Sequence, residues 1–276
     1  MFRKRRIPWT RILAYLVLSL GAVVTTYPFF YMVMNSVKPG AEIMHQPLAL
    51  PSQITFSGYI NVFARLNMLL LFKNTLILAV SITVLNTFLS ALAGYALAKI
   101  PFPGREPLFA FMLFTMMIPG ALFLIPTYVL IYNLGWVGSF KALIIPSAVS
   151  VFSIFLAKQF METIPSELSE AARIDGASEG RIFWSIILPL SRPVLAVLAI
   201  LNFMGAWNDF FGPLLYLNKP ETWTLQLGLQ QFQGTVPGEN AQEIWAATTL
   251  ITAPLIILFF FLQDHVVRAY TNVNLR

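Results

Sequence analysis

What most limits the possible folds of this chain is a series of apolar runs, each about as long as a bilayer is thick. Residues 12–34, 74–98 and 244–263 carry no charge at all, and 108–132, 142–160 and 186–215 carry very few. A helix needs about 20 mostly apolar residues to cross a hydrocarbon core of roughly 30 Å. Each run meets that length, the fourth with Lys158 snorkelling at its end. The expected fold is an all-α integral membrane protein: a single transmembrane domain over 1–276, with six transmembrane helices. Composition agrees, with 57% hydrophobic and only 11% charged residues, against about 25% charged in an ordinary soluble domain. Cysteine is absent, which removes disulfides, thiolate catalysis and cysteine metal sites.

The opening MFRKRRIPWTR, followed by an apolar run, has the layout of a signal peptide. The run is too long for one and no small-x-small cleavage site follows, so it is expected to remain as the first span. The net charge of +6 does not call for nucleic acid, because the basic residues flank the apolar runs. In the six-helix reading, thirteen Lys and Arg fall on one side and five on the other. The richer side holds Arg3 to Arg6, Arg105, Arg173 and Arg268; the poorer holds Lys38, Arg65, Lys73, Lys141 and Lys219. The positive-inside bias then places both termini in the cytoplasm, with outer loops at about 35–73, 133–141 and 218–243. Prolines inside the runs, among them Pro28, Pro119, Pro146, Pro189, Pro193 and Pro254, each remove a backbone donor. A bundle tolerates this where neighbours satisfy the freed carbonyl, in a transporter or in a merely kinked helix alike.

Between the fourth and fifth runs lies a polar insert, 164–185, reading IPSELSEAARIDGASEGRIFWS. Pro165 suits a first helical turn with Thr163 as cap, and Leu168, Ala171 and Ala172 recur on one face. Gly176 after Asp175 marks a helix stop at positive φ. Ser178 can cap a second helix carrying Ile182, Phe183 and Ile186. From the residues alone, the insert is either a solvated surface loop or a docking element for a cytoplasmic partner.

Its spacing resembles the EAA motif of importer-type ABC transporter permeases, matched at Glu170, Ala171, Ala172, Asp175, Gly176, Ala177, Phe183, Leu188, Pro189 and Pro193. Ser36-Val37-Lys38-Pro39, GYALAKIPFPGRE at 94–106, MMIPGALFLIPTYVLIYNLGW at 116–136 and the run from Phe203 through Asp209 to Leu215 are similar to the carbohydrate-importer, maltose-type branch. The tail RAYTNVNLR departs from the Leu-Thr-x-Gly-like ending common there. The resemblance implies a permease subunit of a bacterial or archaeal inner membrane, with 164–185 as the coupling insert. It also implies a second permease subunit, two cytoplasmic ATPase subunits that bind ATP and Mg, and an extracytoplasmic substrate-binding protein. The cargo would be a sugar or oligosaccharide, with a glycerol-phosphate-type ester as the alternative.

Polar groups inside a span are costly and mark pathways by default. Asn208 and Asp209, beside Trp207, stand near the outer end of the fifth run. They suit sugar hydroxyls and a sugar face, or they sit at the interface where Trp is enriched. Ser147, Ser150 and Ser153 recur every three residues in the fourth run and serve either a path or close helix packing. QFQGTVPGENAQE in the last outer loop is long enough to reach a binding protein, or is simply solvated. His45 and His265 are isolated and receive no role. No phosphate-cradling G-x-x-x-x-G-K-[ST] loop is present, so no cofactor and no catalysis are expected in this chain. A self-contained secondary transporter and a membrane scaffold or receptor are the competing classes.

Overall fold

The structure, a computed structural model, describes residues 9–234 and 238–273; the side chains of 258, 259 and 261–273 fall outside that description. Arg3 to Arg6, Arg276, the middle of the last outer loop and the side chains of His265 and Arg268 therefore lie outside the described residues. Every described element is helical. In chain order they are α1 (Trp9–Ser36), α2 (Gly40–His45), α3 (Ser57–Arg65), α4 (Met68–Lys99), α5 (Arg105–Thr115), α6 (Leu124–Asn133), α7 (Lys141–Ser147) and α8 (Val151–Glu162). After them come α9 (Ser166–Ile174), α10 (Glu179–Ile182), α11 (Leu188–Leu190), α12 (Arg192–Trp207), α13 (Phe211–Tyr216), α14 (Leu225–Leu229) and α15 (Ala241–Val273).

Among the described residues, three stretches are long and apolar enough to cross a membrane: Trp9–Ser36, Met68–Lys99 and Lys141–Glu162. Two more are broken. Arg105–Thr115 meets Gly120–Asn133 at 90°, and the run ending at Leu190 meets Arg192–Trp207 at 77°. The six apolar runs are thus not six uniform rods. The breaks follow the prolines. Pro119 precedes the 3-10 turn at Gly120–Phe123, and Pro193 cannot donate to the turn before it, so the helix restarts at Arg192. A π-turn at Phe183–Ile187 leads into the second bend.

The chain divides into two compact units. The first comprises residues up to Asn67 together with Leu229–Pro254. In it Lys38 is fully buried and donates to the carbonyls of Gln46 (2.5 Å) and Ala49 (2.7 Å). The lysine counted among the outer-side bases thus ties that loop together through two of its carbonyls. Gly58 allows α3 to approach α15, since a Cβ there would stand 2.7 Å from Gln242 Cγ. Around this contact Ser57 donates to Gln242 (3.0 Å), Asn61 to Glu243 (2.8 Å) and Arg65 to Asn240 (3.0 Å). Phe232 and Ala241 to Glu243 of QFQGTVPGENAQE are buried within this unit, whereas Gln231, Gln233, Gly234 and Glu239 are exposed.

The second unit, Met68–Gly228 with Leu255 onward, is built around α4, which packs along both α8 and α12. That helix buries apolar and small residues such as Leu78, Ala91 and Gly94 together with the polar Asn74, Thr75, Asn86 and Ser90. Lys158 does not reach out to solvent. It is buried, with its ammonium 2.6 Å from Glu162 and 4.2 Å from the centre of the Phe109 ring.

Candidate functional site: a coupling insert and a polar cleft

The insert is two short helices joined by a tight turn. α9 ends in a Schellman motif: the Gly176 N–H donates to the Arg173 carbonyl (3.0 Å) and the Ala177 N–H to that of Ala172 (2.9 Å). Gly176 has φ +80°, a conformation glycine adopts without a Cβ penalty. Ser178 caps α10 as expected, accepting from the Arg181 N–H at 3.4 Å. Thr163 does not cap α9. It closes α8, its hydroxyl bonded to the Phe160 carbonyl (2.7 Å), and Pro165 takes the cap position of α9. The three alanines also divide: Ala172 and Ala177 pack against the core formed by Tyr95, Met161, Ile182, Phe183 and Ile187, whereas Glu170 and Ala171 face outward with Leu168, Asp175 and Gly176. Ile174 is 87% exposed at the tip.

A polar cluster fastens this insert. The Tyr95 hydroxyl donates to Glu179 at 2.5 Å, and the Arg173 guanidinium lies 2.7 Å from the same carboxylate. Bonding from Arg173 and Tyr95 holds the Glu179 carboxyl below the usual carboxylate range, and the same bond raises the Arg173 guanidinium. Lys99, at the end of α4, donates to the Ile164 carbonyl. At the level of sequence Lys99 counts only among the bases of the richer side, and Tyr95 and Glu179 carry no role of their own. Nothing in their spacing announces the contact, since α4 and the insert are far apart in the chain.

The second place of interest is where the fourth apolar run loses its helix, over 148–150. Irregular backbone at membrane depth persists only where protein or water satisfies it. Here the Asn86 amide of α4 donates to the exposed Ser147 carbonyl (2.8 Å). Asn202 of α12 in turn donates to the Asn86 side-chain oxygen (2.9 Å). These groups open onto a cleft of about 380 Å³, lined by Asn86, Ser147, Ser150, Asn202 and Asp209 with Ile82, Leu201 and Gly205. The volume falls in the ordinary range for small-molecule sites, about 300–1,000 Å³. The lining offers amides, hydroxyls and one carboxylate, and no cation.

The expected path residues are therefore distributed unevenly. Ser147, Ser150 and Asp209 line the cleft. Asn208 is exposed close by, its amide on the Met204 carbonyl (2.9 Å). Trp207 is not among the lining residues: it is 1% exposed and packs on Phe203 and Phe72. Ser153 is buried in the first turn of α8, where Ser150 caps its N–H. Asn86 and Asn202 were missed, although an asparagine inside an apolar span is the same signal that drew attention to Asn208.

Helices of spanning length, a short polar insert and a polar cleft at a helix break define a membrane permease. The chain belongs to the family of binding-protein-dependent transport system inner membrane components, whose model matches residues 90–272. It is 34% identical to Protein LplC of Bacillus subtilis over 266 residues, covering 90% of this chain and 89% of that one. It is 33% identical to the arabinooligosaccharides transport system permease protein AraQ of Halalkalibacterium halodurans, over 91% of both chains. The fold superimposes with a TM-score of 0.81 on a crystal structure of a bacterial ABC transporter involved in the import of the acidic polysaccharide alginate. That match has 25% identity and covers 96% of this chain and 99% of that one.

Proposed function

We propose that this chain is one of two permease subunits of an ATP-driven importer that carries a neutral sugar or oligosaccharide by alternating access. The observation that carries the choice of cargo is the lining of the cleft. Asn86, Asn202, Ser147 and Ser150 present the donors and acceptors that sugar hydroxyls need, and Asp209 adds a carboxylate. Relatives differ on cargo: one is named for arabinooligosaccharides, and the matching structure belongs to an importer of an acidic polysaccharide. A cleft with a carboxylate and no cation favours an uncharged chain over a uronate or a glycerol-phosphate ester, since unpaired like charge is costly where water is scarce.

Glu170, Ala171, Asp175 and Gly176 present the face on which a cytoplasmic ATPase subunit docks, with Ala172 and Ala177 packed behind it, the insert and both termini lying on the cytoplasmic side. ATP and Mg are held by that partner, and a substrate-binding protein delivers the sugar from outside. Asp209, Ser147, Ser150 and Asn208 border the path, with Trp207 as its packed support. Replacing Asn202 by alanine in the reconstituted transporter tests the cleft. The KM for sugar is expected to rise several-fold with ATPase assembly intact; an unchanged KM would remove the cleft from the path.

A further inference from the structure

We infer that Tyr95, Glu179 and Arg173 form a positioning lock through which the coupling insert moves α4, and α4 in turn moves the cleft. This rests on the importer reading above. α9 has nine residues and α10 only four, too short to hold a shape unaided. Apolar packing anchors them: Ile182 is fully buried, and the Phe183 ring lies 5.3 Å from that of Tyr95. Such packing is non-directional. What fixes orientation is the pair of charge-assisted bonds on Glu179, from the Tyr95 hydroxyl (2.5 Å) and from Arg173 (2.7 Å). Arg173 belongs to α9, Glu179 to α10 and Tyr95 to α4, so one carboxylate ties both insert helices to a single point on α4.

That point is well placed. The neighbouring residue, Gly94, lies against α8, since a Cβ there would stand 2.7 Å from that of Ala157. Asn86, which closes the Ser147 carbonyl at the helix break, lies on the same helix, about 14 Å away at 1.5 Å per residue. α4 is continuous from Met68 to Lys99 with no proline inside it, so a displacement at Tyr95 reaches Asn86 through an unbroken helix. The lock thus joins the end of α4 beside the insert to the middle of α4 beside the cleft.

The test uses the complete transporter, with its own ATPase subunits and binding protein, in proteoliposomes. Tyr95→Phe removes one hydroxyl and keeps the ring on Phe183; Glu179→Gln removes the charge. Both are expected to raise the ATP hydrolysed per sugar imported at least threefold, with the ATPase still bound in normal amount. The double variant should exceed Glu179→Gln by no more than measurement error, because the loss of the carboxylate charge already weakens the bond that Tyr95→Phe removes. A Tyr95→Phe transporter with the wild-type ratio would overturn the proposal, even if its yield or stability fell, since that is all a purely structural tyrosine would do. A wild-type transporter that imports sugar without consuming ATP would remove the importer reading itself, and the lock with it.

Discussion

Gly94 and Ala157 meet where α4 crosses α8: a Cβ placed on Gly94 would stand 2.7 Å from that of Ala157 and 3.0 Å from the Lys158 backbone nitrogen. Small residues let membrane helices approach this closely. The neighbour includes backbone, which cannot rotate away, so Gly94→Ala should cost about 1–3 kcal/mol by overpacking and Gly94→Leu more. Thermal unfolding of the purified protein checks this: the expected order of stability is Gly, then Ala, then Leu. An alanine variant as stable as wild type would mean the crossing is looser than described.

Gly176 presents the opposite situation. Nothing lies within 4 Å of a Cβ placed there, yet φ is +80°. The penalty for a side chain is therefore conformational, about 1–2 kcal/mol, and asparagine should be tolerated better than valine. Gly176→Val is expected to uncouple ATP hydrolysis from uptake while leaving membrane insertion intact. Gly176→Asn should retain most coupling. Normal uptake by the valine variant would show that the turn does not set the geometry of docking.

Asn86 bonds to two elements at once, the helix break after α7 and α12. Its amide satisfies the Ser147 carbonyl and its oxygen accepts from Asn202. Asn86→Ala would remove both bonds; Ser147 is exposed and Asn202 keeps a longer bond to Thr87 (3.4 Å), so the cost is that of two lost hydrogen bonds, about 0.5–1.5 kcal/mol each. The variant is expected to melt earlier and to transport at a small fraction of the wild-type rate. Asn86→Asp retains an acceptor for Asn202 but loses the donor to Ser147, so it should rescue little. Full activity in the aspartate variant would contradict the assigned donor.

Acid should loosen the insert. The Glu179 carboxyl titrates below its ordinary value because Arg173 and then Tyr95 bond to its charged form. A depressed folded-state value gives stability that is present above the unfolded value, about 4.3, and is lost as pH falls through the folded one. The pair is part-exposed, with side-chain exposures of 35% and 44%, so solvent screening keeps its contribution to about 0.2–1 kcal/mol. Hydrogen exchange of the α9–α10 amides, allowing for the intrinsic rate, should show protection falling below about pH 4 in wild type. In Glu179→Gln the same amides should be less protected at neutral pH and show no such acid step.

Much of this was legible in sequence for simple physical reasons. Charge-free length at 12–34 and 74–98 leaves a chain little choice but a spanning helix, and α1 and α4 cover both runs. Gly176 was legible because positive φ has a residue signature, and Ser178 because capping does. The bends at Pro119 and Pro193 were not: a proline reports a missing donor without saying how neighbours will respond. Trp207 reads in the sequence as an aromatic face for a sugar, but in the fold its ring packs on Phe72 and Phe203. Lys38 and Glu179 depend on partners distant in sequence, Ala49 and Tyr95 among them, and local pattern carries no such information.

The central claim is that energy enters at the insert and that this chain does not move cargo by itself. It is tested most directly by reconstituting the chain with its permease partner, ATPase and binding protein, and measuring uptake of a labelled neutral oligosaccharide. Uptake should require ATP inside the liposome and the binding protein outside, and should ignore imposed proton or sodium gradients. Accumulation driven by either gradient without ATP would contradict the account.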